Sequence, residues 1–336
     1  AGGAAYTGGL SLIGSLMAAL LVALAWLLLL PHPAAAWGPA THVALGQVVL
    51  GALYLVPPAI RVLLERYPLD FLYGSIAADI SFAKKYVPEG RHCHNWAIGE
   101  EILEAAGTDR LRAVGYGYLA HLAADTIAHN IFVPRQLLLT STTKTLGHAY
   151  WEHRMDLHVG DEFLRQARVL VIENDHSDAD ELLDDVLSRT IFSFKANRKI
   201  FRGMIRLTGD ERWQRVFGQV VAKSRFDLPN SVVDRYFELA FEQVIDYLTA
   251  RADSGAAQLD PVGELNLKLA KKVRRRALSD HSVDQPGVLT EMADAFFPFP
   301  DGSPRFWPEV RDPAFKAGVS AHQSESSRDP GALGQS

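Results

Sequence analysis

The chain has only one cysteine, Cys93, in 336 residues. A single thiol excludes an internal disulfide, so cysteine pairing gives no indication of the redox compartment. Alternating and β-branched runs are also scarce, whereas apolar residues recur at three- and four-residue spacing through much of residues 113–250. We therefore predict an all-α fold built as a multi-helix bundle.

The chain also lacks an excess of positive charge, because its formal net charge is -5 and its pI is near 6.2. This balance gives no reason to expect a general nucleic-acid-binding surface. The one basic run consists of Lys268, Lys271, Lys272, Arg274, Arg275 and Arg276. We interpret this run as a solvated helix face, with attraction to anionic lipid headgroups as the alternative.

Charged residues are absent from residues 10–30. This apolar stretch runs into Pro31 and then into three alanines ending at Ala36, a small-residue pattern typical of a signal-peptide cleavage site. Cleavage there would make Trp37 the new N-terminus. Because the stretch is also long enough to cross a bilayer, we predict that residues 1–36 are a signal peptide or a membrane anchor, and that the protein is exported.

Five side chains that can bind zinc lie close together along the chain: His121, Asp125, His129, His148 and Glu152. Residues four apart lie on one face of an α-helix, so the first three form one stripe and the last two form a second pair. Two helices can therefore face a shared metal pocket. Imidazoles and carboxylates are donors that Zn²⁺ accepts, and three or four per ion with an open position is the catalytic arrangement.

Together with the segment Trp37-Gly-Pro-Ala-Thr-His42, these two stripes make the chain resemble the bacterial zinc-dependent phospholipase C family. Members of that family are all-helical and are similar to the single-strand-specific zinc nucleases of fungi and plants. Both groups hold three zinc ions, and the mature N-terminal Trp supplies its amino nitrogen and carbonyl oxygen to one of them. The resemblance covers residues 37–161 and implies a bacterial protein, which the N-terminal segment predicts to be periplasmic, secreted or membrane-anchored.

The resemblance also implies three groups of zinc ligands. The first zinc would be held by Trp37, His42 and Asp125. The second would be held by Asp79, His94, His121 and the bridging Asp125. The third would be held by His129, His148 and Glu152. Three Zn²⁺ ions against the three carboxylates would leave a formal charge of about +3, which suits an anionic phosphate ester.

Two features of these motifs leave alternatives open. His92 and His94 flank Cys93, so either histidine can be the ligand, and the thiol is a further soft donor. We favour His94. The short spacing within residues 37–42 is more like the nuclease branch, whereas Glu152 in place of Asp is more like the phospholipase branch.

The resemblance ends near residue 161, and beyond residue 280 the composition shifts to Pro, Gly, Ser and charged residues. We predict a zinc-binding catalytic helical core over residues 37–161, a helical extension packed on it over 162–280, and a partly disordered Pro/Gly/Ser-rich tail over 281–336. Within the core, a long helix is predicted to end before Pro134, and the Thr- and Ser-rich stretch 136–147 is predicted to be a loop.

The predicted activity is hydrolysis of a phosphodiester by metal-activated water, with Asp79 orienting or deprotonating that water. We expect a phospholipase C that acts at a membrane surface and cleaves glycerophospholipids to diacylglycerol and a phosphorylated headgroup. One alternative is a single-strand-specific zinc nuclease or nucleotidase, which would need aromatic platforms and a basic groove; a nucleic-acid partner is not favoured. Another is a non-catalytic, zinc-stabilised protein that keeps its membrane anchor.

Overall fold

The computed structural model describes residues 37–299 except 82–86, 89, 141–143, 188–191, 209, 223, 225 and 286. The predicted signal peptide or anchor, and the predicted tail beyond residue 299, lie outside the described residues. The described part is helical and contains no strand, which confirms the predicted all-α fold. Among its helices, none combines the length and apolar character that a bilayer crossing requires.

The α-helices of the described part are, in chain order, α1 (Pro39–Gly51), α2 (Pro58–Arg66), α3 (Pro68–Ala77), α4 (Trp96–Ala105), α5 (Asp109–Ile127), α6 (Val133–Thr140), α7 (Lys144–Val159), α8 (Asp161–Ile172), α9 (Ser177–Val186), α10 (Phe194–Thr208), α11 (Glu211–Ala222), α12 (Asn230–Ala250), α13 (Glu264–Ser279) and α14 (Val288–Phe296). A 3-10 turn at Ala78–Ile80 follows α3, and a π turn at Ala128–Phe132 joins α5 to α6.

Helix α5 is the centre of the fold, because its side chains from residue 117 to its end are all buried. Helix α3 crosses it in direct backbone contact. A Cβ added to Gly74 would lie 2.1 Å from the carbonyl oxygen of Val114, and one added to Gly117 would lie 2.0 Å from that of Phe71. Only glycine permits this approach, and it brings the end of α3 beside the predicted metal-binding stripe of α5.

One hydrophobic core continues across residue 161, the predicted boundary where the family resemblance ended. It begins at Trp37 and includes Phe163 of α8, Phe237 and Val244 of α12, and Leu267 of α13. Such a shared core means that the helices of the extension bury their apolar faces against the same helices that carry the predicted ligands. The predicted metal-binding stripe of α5 is therefore enclosed on several sides.

Two predicted boundaries were wrong. The helix does not end before Pro134, because the π turn carries the chain into α6, where this proline lies in the first turn and needs no helical hydrogen-bond partner. The stretch 136–147 is not a loop, since α6 and α7 cover all of it except residues 141–143, which lie outside the described residues. The Thr140 hydroxyl donates to the carbonyl of Gln136, so its polarity is satisfied within the helix.

Candidate metal centre

Several elements bring predicted ligands together inside the bundle. We define the inner cluster as His42 of α1, Asp79 of the 3-10 turn after α3, His94 of the loop before α4, and His121 and Asp125 of α5. All these side chains are buried, and three of them are completely inaccessible to solvent. A buried group of imidazoles and carboxylates needs compensating partners or a cation.

Asp125 lies at the centre of the inner cluster. Its Oδ1 is 3.3 Å from Nε2 of His42, and its Oδ2 is 3.1 Å from Nε2 of His94 and 3.3 Å from Nε2 of His121. Neither buried carboxylate oxygen completes a hydrogen bond, and neither does Nε2 of His42. A carboxylate whose two oxygens face different imidazoles can bridge two ions, so these unsatisfied atoms fit zinc.

Asp79 lies on another side of the same histidines. Its Oδ1 is 3.4 Å from Nε2 of His94, and Nε2 of His94 is 3.0 Å from Nε2 of His121. The ligand atoms of Asp79, His94 and His121 all lie within 4.8 Å of one another, as do those of His42, His121 and Asp125. Two candidate ion positions therefore share His121, and Asp125 lies beside both.

The histidine rings are held by backbone carbonyls. Nδ1 of His121 is 2.8 Å from the carbonyl oxygen of Ser75, to which its N–H donates. The lone pair that can bind a metal is therefore on Nε2, the ring nitrogen that faces Asp125. Nδ1 of His129 is 2.5 Å from the carbonyl oxygen of Pro261 in the same sense. The sequence did not predict either carbonyl partner, because every residue has a backbone carbonyl and the residue type does not show which one accepts a hydrogen bond.

Electrostatics favour the protonation states that metal binding needs. Burial lowers the pKa of His42, and the neighbouring His121 lowers it further. Burial alone would raise the pKa of Asp125, but His121, His129 and His42 together hold that pKa well below its usual range. The carboxylate is therefore ionised and the imidazole of His42 is neutral near pH 7, as ligands of zinc must be.

The structure distinguishes the two histidines beside Cys93 by position. His94 directs Nε2 at Asp125, while its Nδ1 lies 3.4 Å from Sγ of Cys93 on the opposite edge of the ring. His92 uses Nδ1 to accept a hydrogen bond from the backbone N–H of His94 at 3.1 Å. His94 is thus the histidine of this pair that lies in the inner cluster, and the thiol contacts the far edge of its ring.

We define the outer group as His129, His148 and Glu152. Nε2 of His148 is 3.2 Å from Oε1 of Glu152 one turn along α7. The His129 ring lies between the two sets of ligands, since its centroid is 6.3 Å from that of His94 and 5.4 Å from that of His148. His129 belongs to the π turn, a deviation that often marks functional sites. The third predicted set of ligands is therefore adjacent to the inner cluster.

Trp37 is also adjacent to the centre. Its side chain is completely buried, and its ring centroid is 6.4 Å from that of His42 and 5.4 Å from that of Phe237. Trp37 therefore packs beside His42, two residues before α1 begins. Ligation through its main chain stays a prediction.

Asp156 is a supporting residue that sequence reasoning missed. Its Oδ1 accepts hydrogen bonds from Thr41, 3.0 Å from the backbone nitrogen and 2.7 Å from the hydroxyl. The carboxylate also fills the space beside Gly38, where an added Cβ would lie 2.0 Å from Oδ2. Burial raises the pKa of Asp156 to about 6. Helix α7, which carries the outer pair, thereby fixes the first turn of the helix that carries His42.

Comparison with known proteins agrees with this geometry. Residues 41–200 match the family model described as zinc-dependent phospholipase C, a span of just under half the chain. The match includes every predicted metal ligand except Trp37, and it extends past residue 161, where the motif resemblance ended. Searches of curated proteins and of solved structures gave no match. The family resemblance is confirmed over the matched residues.

Proposed function

We propose that this chain, in which residues 41–200 match the zinc-dependent phospholipase C family, is a phospholipase C that cleaves glycerophospholipids to diacylglycerol and a phosphorylated headgroup. The family match and the buried His/Asp groups support the coarser statement, a zinc phosphodiesterase. The observation that carries the proposal is Asp125, a buried carboxylate with both oxygens unsatisfied and surrounded by imidazoles.

Different residues would have different roles in the reaction. The inner cluster and the outer group would hold up to three zinc ions. When bound, zinc supplies a nucleophile near neutral pH and stabilises charge on phosphoryl oxygens. Ser75 and Pro261 fix two of the rings through their carbonyls, so little reorganisation accompanies the reaction.

Asp79 is the residue we assign to orient the attacking water and accept its proton. Its side chain is 8% exposed, whereas the side chains of His94 and Asp125 are fully inaccessible. Asp79 is therefore the most solvent-accessible residue of the inner cluster, and its Oδ1 lies 3.4 Å from Nε2 of His94. A carboxylate in that position can reach both a substrate and the ligands.

We also propose that the protein is exported, from the sequence of residues 1–36 alone. A chain cleaved after Ala36 would present the free amine of Trp37 beside His42. An exported phospholipase C would meet its substrate at a membrane surface. N-terminal sequencing of the protein from its native source would identify the mature start.

The test is the zinc content of the purified protein, measured together with release of phosphorylated headgroup from phosphatidylcholine vesicles before and after chelation. We expect about three zinc ions per chain and headgroup release that stops on chelation and returns with zinc. Bound zinc with cleavage of single-stranded DNA in place of lipid would overturn the phospholipase assignment in favour of a nuclease. Protein that binds no zinc would overturn the metal centre itself.

A further inference from the structure

Helix α13 carries a cationic surface that the metal centre does not use. Of its six Lys and Arg residues, four are exposed: Lys268, Lys272, Arg275 and Arg276. Three- and four-residue spacing places them on one side of the helix together with Leu265, which is 80% exposed. We call these five residues the cationic face. A concentration of positive charge of this kind is unexpected in a chain of net charge -5.

The opposite side of α13 packs against the rest of the protein. Leu267, Ala270 and Ala277 are buried, and the guanidinium of Arg274 donates to the carbonyl of Leu138 in α6 at 2.5 Å. The helix therefore has an inner side that packs and an outer side that combines cations with an exposed leucine. Outward-facing cations attract the anionic headgroups of a membrane leaflet, and an exposed leucine beside them can enter the interface.

Helix α13 is anchored directly to the metal centre. Pro261 accepts the Nδ1 proton of His129, and a Cβ added to Gly263 would lie 2.3 Å from the carbonyl oxygen of His129. Gly263 also has a φ of 58°, a left-handed conformation that residues with a side chain rarely adopt. In addition, the amide of Asn266 donates to Oδ1 of Asn130 at 2.8 Å. The cationic face is therefore held in a fixed position relative to His129.

We propose that the cationic face docks on an anionic membrane leaflet and holds the metal centre at the lipid surface. The four cations would lie among the phosphates and carboxylates of the headgroups, and Leu265 would enter the interface. Glu264 and Asp280 pair with Lys268 and Arg276 at the two ends of the helix, and the face remains net positive. This inference rests on the proposed phospholipase function, but docking and hydrolysis are separately measurable.

Helix α10 provides a matched control. It is also basic, and Lys195, Lys199 and Arg206 are exposed. Its other cations stabilise the fold, since Arg198 pairs with Asp180 and Arg202 donates to the carbonyl of Ile172. Reversing three exposed charges on α10 or on α13 changes the net charge of the chain equally, so a difference between the two variants reports the position of the charge.

The first experiment compares the full chain with K268E/K272E/R275E and with the control K195E/K199E/R206E. Co-sedimentation is measured with vesicles of phosphatidylcholine alone and with added phosphatidylserine. We expect the α13 variant to lose at least about 100-fold in affinity for the anionic vesicles and the control less than about tenfold, because each cation at the surface contributes about fivefold. High salt should weaken the wild type toward the α13 variant. Equal losses in both variants would overturn the proposal.

Two further measurements keep the result interpretable. Thermal unfolding shows whether each variant folds, and K268Q/K272Q/R275Q, which removes charge without reversing it, replaces the first variant if that one unfolds. Hydrolysis of bis(p-nitrophenyl) phosphate, a soluble phosphodiester, reports the metal centre without a membrane. A fall in the ratio of vesicle to soluble-ester hydrolysis in the α13 variant supports docking.

The remaining outcomes separate the two proposals. Wild-type protein that cleaves the soluble ester but binds both kinds of vesicle equally would overturn docking and leave the phosphodiesterase standing. Wild-type protein that binds anionic vesicles through α13 but cleaves neither lipid nor soluble ester would support docking and overturn the proposed function. Binding of single-stranded DNA that α13 charge reversal abolishes, without any preference for anionic vesicles, would assign the face to nucleic acid and overturn the membrane proposal.

Discussion

Two buried polar clusters in this protein differ in their source of positive charge. The inner cluster surrounds Asp125 with histidines. The second, which we call the structural cluster, consists of Tyr73, His176, Asp180 and Arg198. In it, the Tyr73 hydroxyl donates to Asp180 at 2.5 Å and Arg198 forms an ion pair with the same carboxylate. His176 stacks on Tyr73 with ring centroids 3.8 Å apart.

The difference predicts which cluster would bind a metal. Arg198 is a permanent cation that neutralises Asp180 within the fold. Within the described part of the chain, no Lys or Arg pairs with Asp125. Its close neighbours are histidines, which carry a positive charge only when they are protonated. A buried carboxylate without a fixed cation is costly, so the inner cluster needs an external cation. The two clusters therefore predict opposite responses to the same chemical change.

The largest effect is expected from Asp125→Asn. The amide keeps the size of the side chain but loses the charge and the second oxygen donor that two ions would share. We expect the zinc content to fall by about two ions per chain and hydrolysis of a soluble phosphodiester to fall on the order of 1,000-fold or more. Elemental analysis and initial rates measure both.

Asp180→Asn is the matched control for that change. It removes the partner of Arg198, whose side chain is 32% exposed and can regain water, so we expect a stability loss of about 2 kcal/mol. Zinc content should not change, and denaturant unfolding would measure the stability loss. If Asp180→Asn released zinc, or Asp125→Asn retained it in full, the distinction between the two clusters would be wrong.

A smaller effect is expected from Glu152→Gln in the outer group. An amide is a poor zinc ligand, and Glu152 lies beside His148 on α7, away from Asp125. We expect a loss of about one zinc ion and a decrease in rate of about 10- to 100-fold. Glu162→Gln on α8 is the control, since Glu162 pairs with Arg165, and it should retain all zinc. Loss of every ion from Glu152→Gln would show that the inner cluster depends on the outer group.

The smallest effect concerns pH and the structural cluster. Burial lowers the pKa of His176 from 6.5 to about 4. Because the folded-state pKa lies below the unfolded one, the stability from this group is complete above pH 6.5 and is lost as the pH falls toward 4. Between pH 7 and pH 5 the wild type should lose about 2 kcal/mol that His176→Gln does not lose. Denaturant unfolding at both pH values measures this, and parallel losses would contradict it.

The sequence predicted the helical stripe of the centre because the spacing is local. His121 and Asp125 lie four residues apart on a helix, and the structure places Nε2 of the first 3.3 Å from Oδ2 of the second. The same period paired His148 with Glu152. Neither prediction required knowledge of how the helices pack. The match of residues 41–200 to a family model agrees with the resemblance stated from these motifs.

The helix boundaries near Pro134 and Thr140 could not be predicted from local sequence. Proline and hydroxyl-rich segments normally end helices. Here the π turn changes the helical register before Pro134, and the carbonyl of Gln136 accepts the hydroxyl of Thr140. Burial of α6 against α13 overrides the local preference.

The sequence by itself determined that the chain is helical, which side chains can bind zinc, and which of them share a helix face, because helical period and residue chemistry are local properties. Tertiary structure decided that His94 enters the inner cluster while His92 supports the backbone, that Ser75 and Pro261 orient two rings, and that Asp156 fixes the first turn of α1. These are contacts between residues far apart in the chain, and only the packing of helices across one core brings such groups within hydrogen-bonding distance.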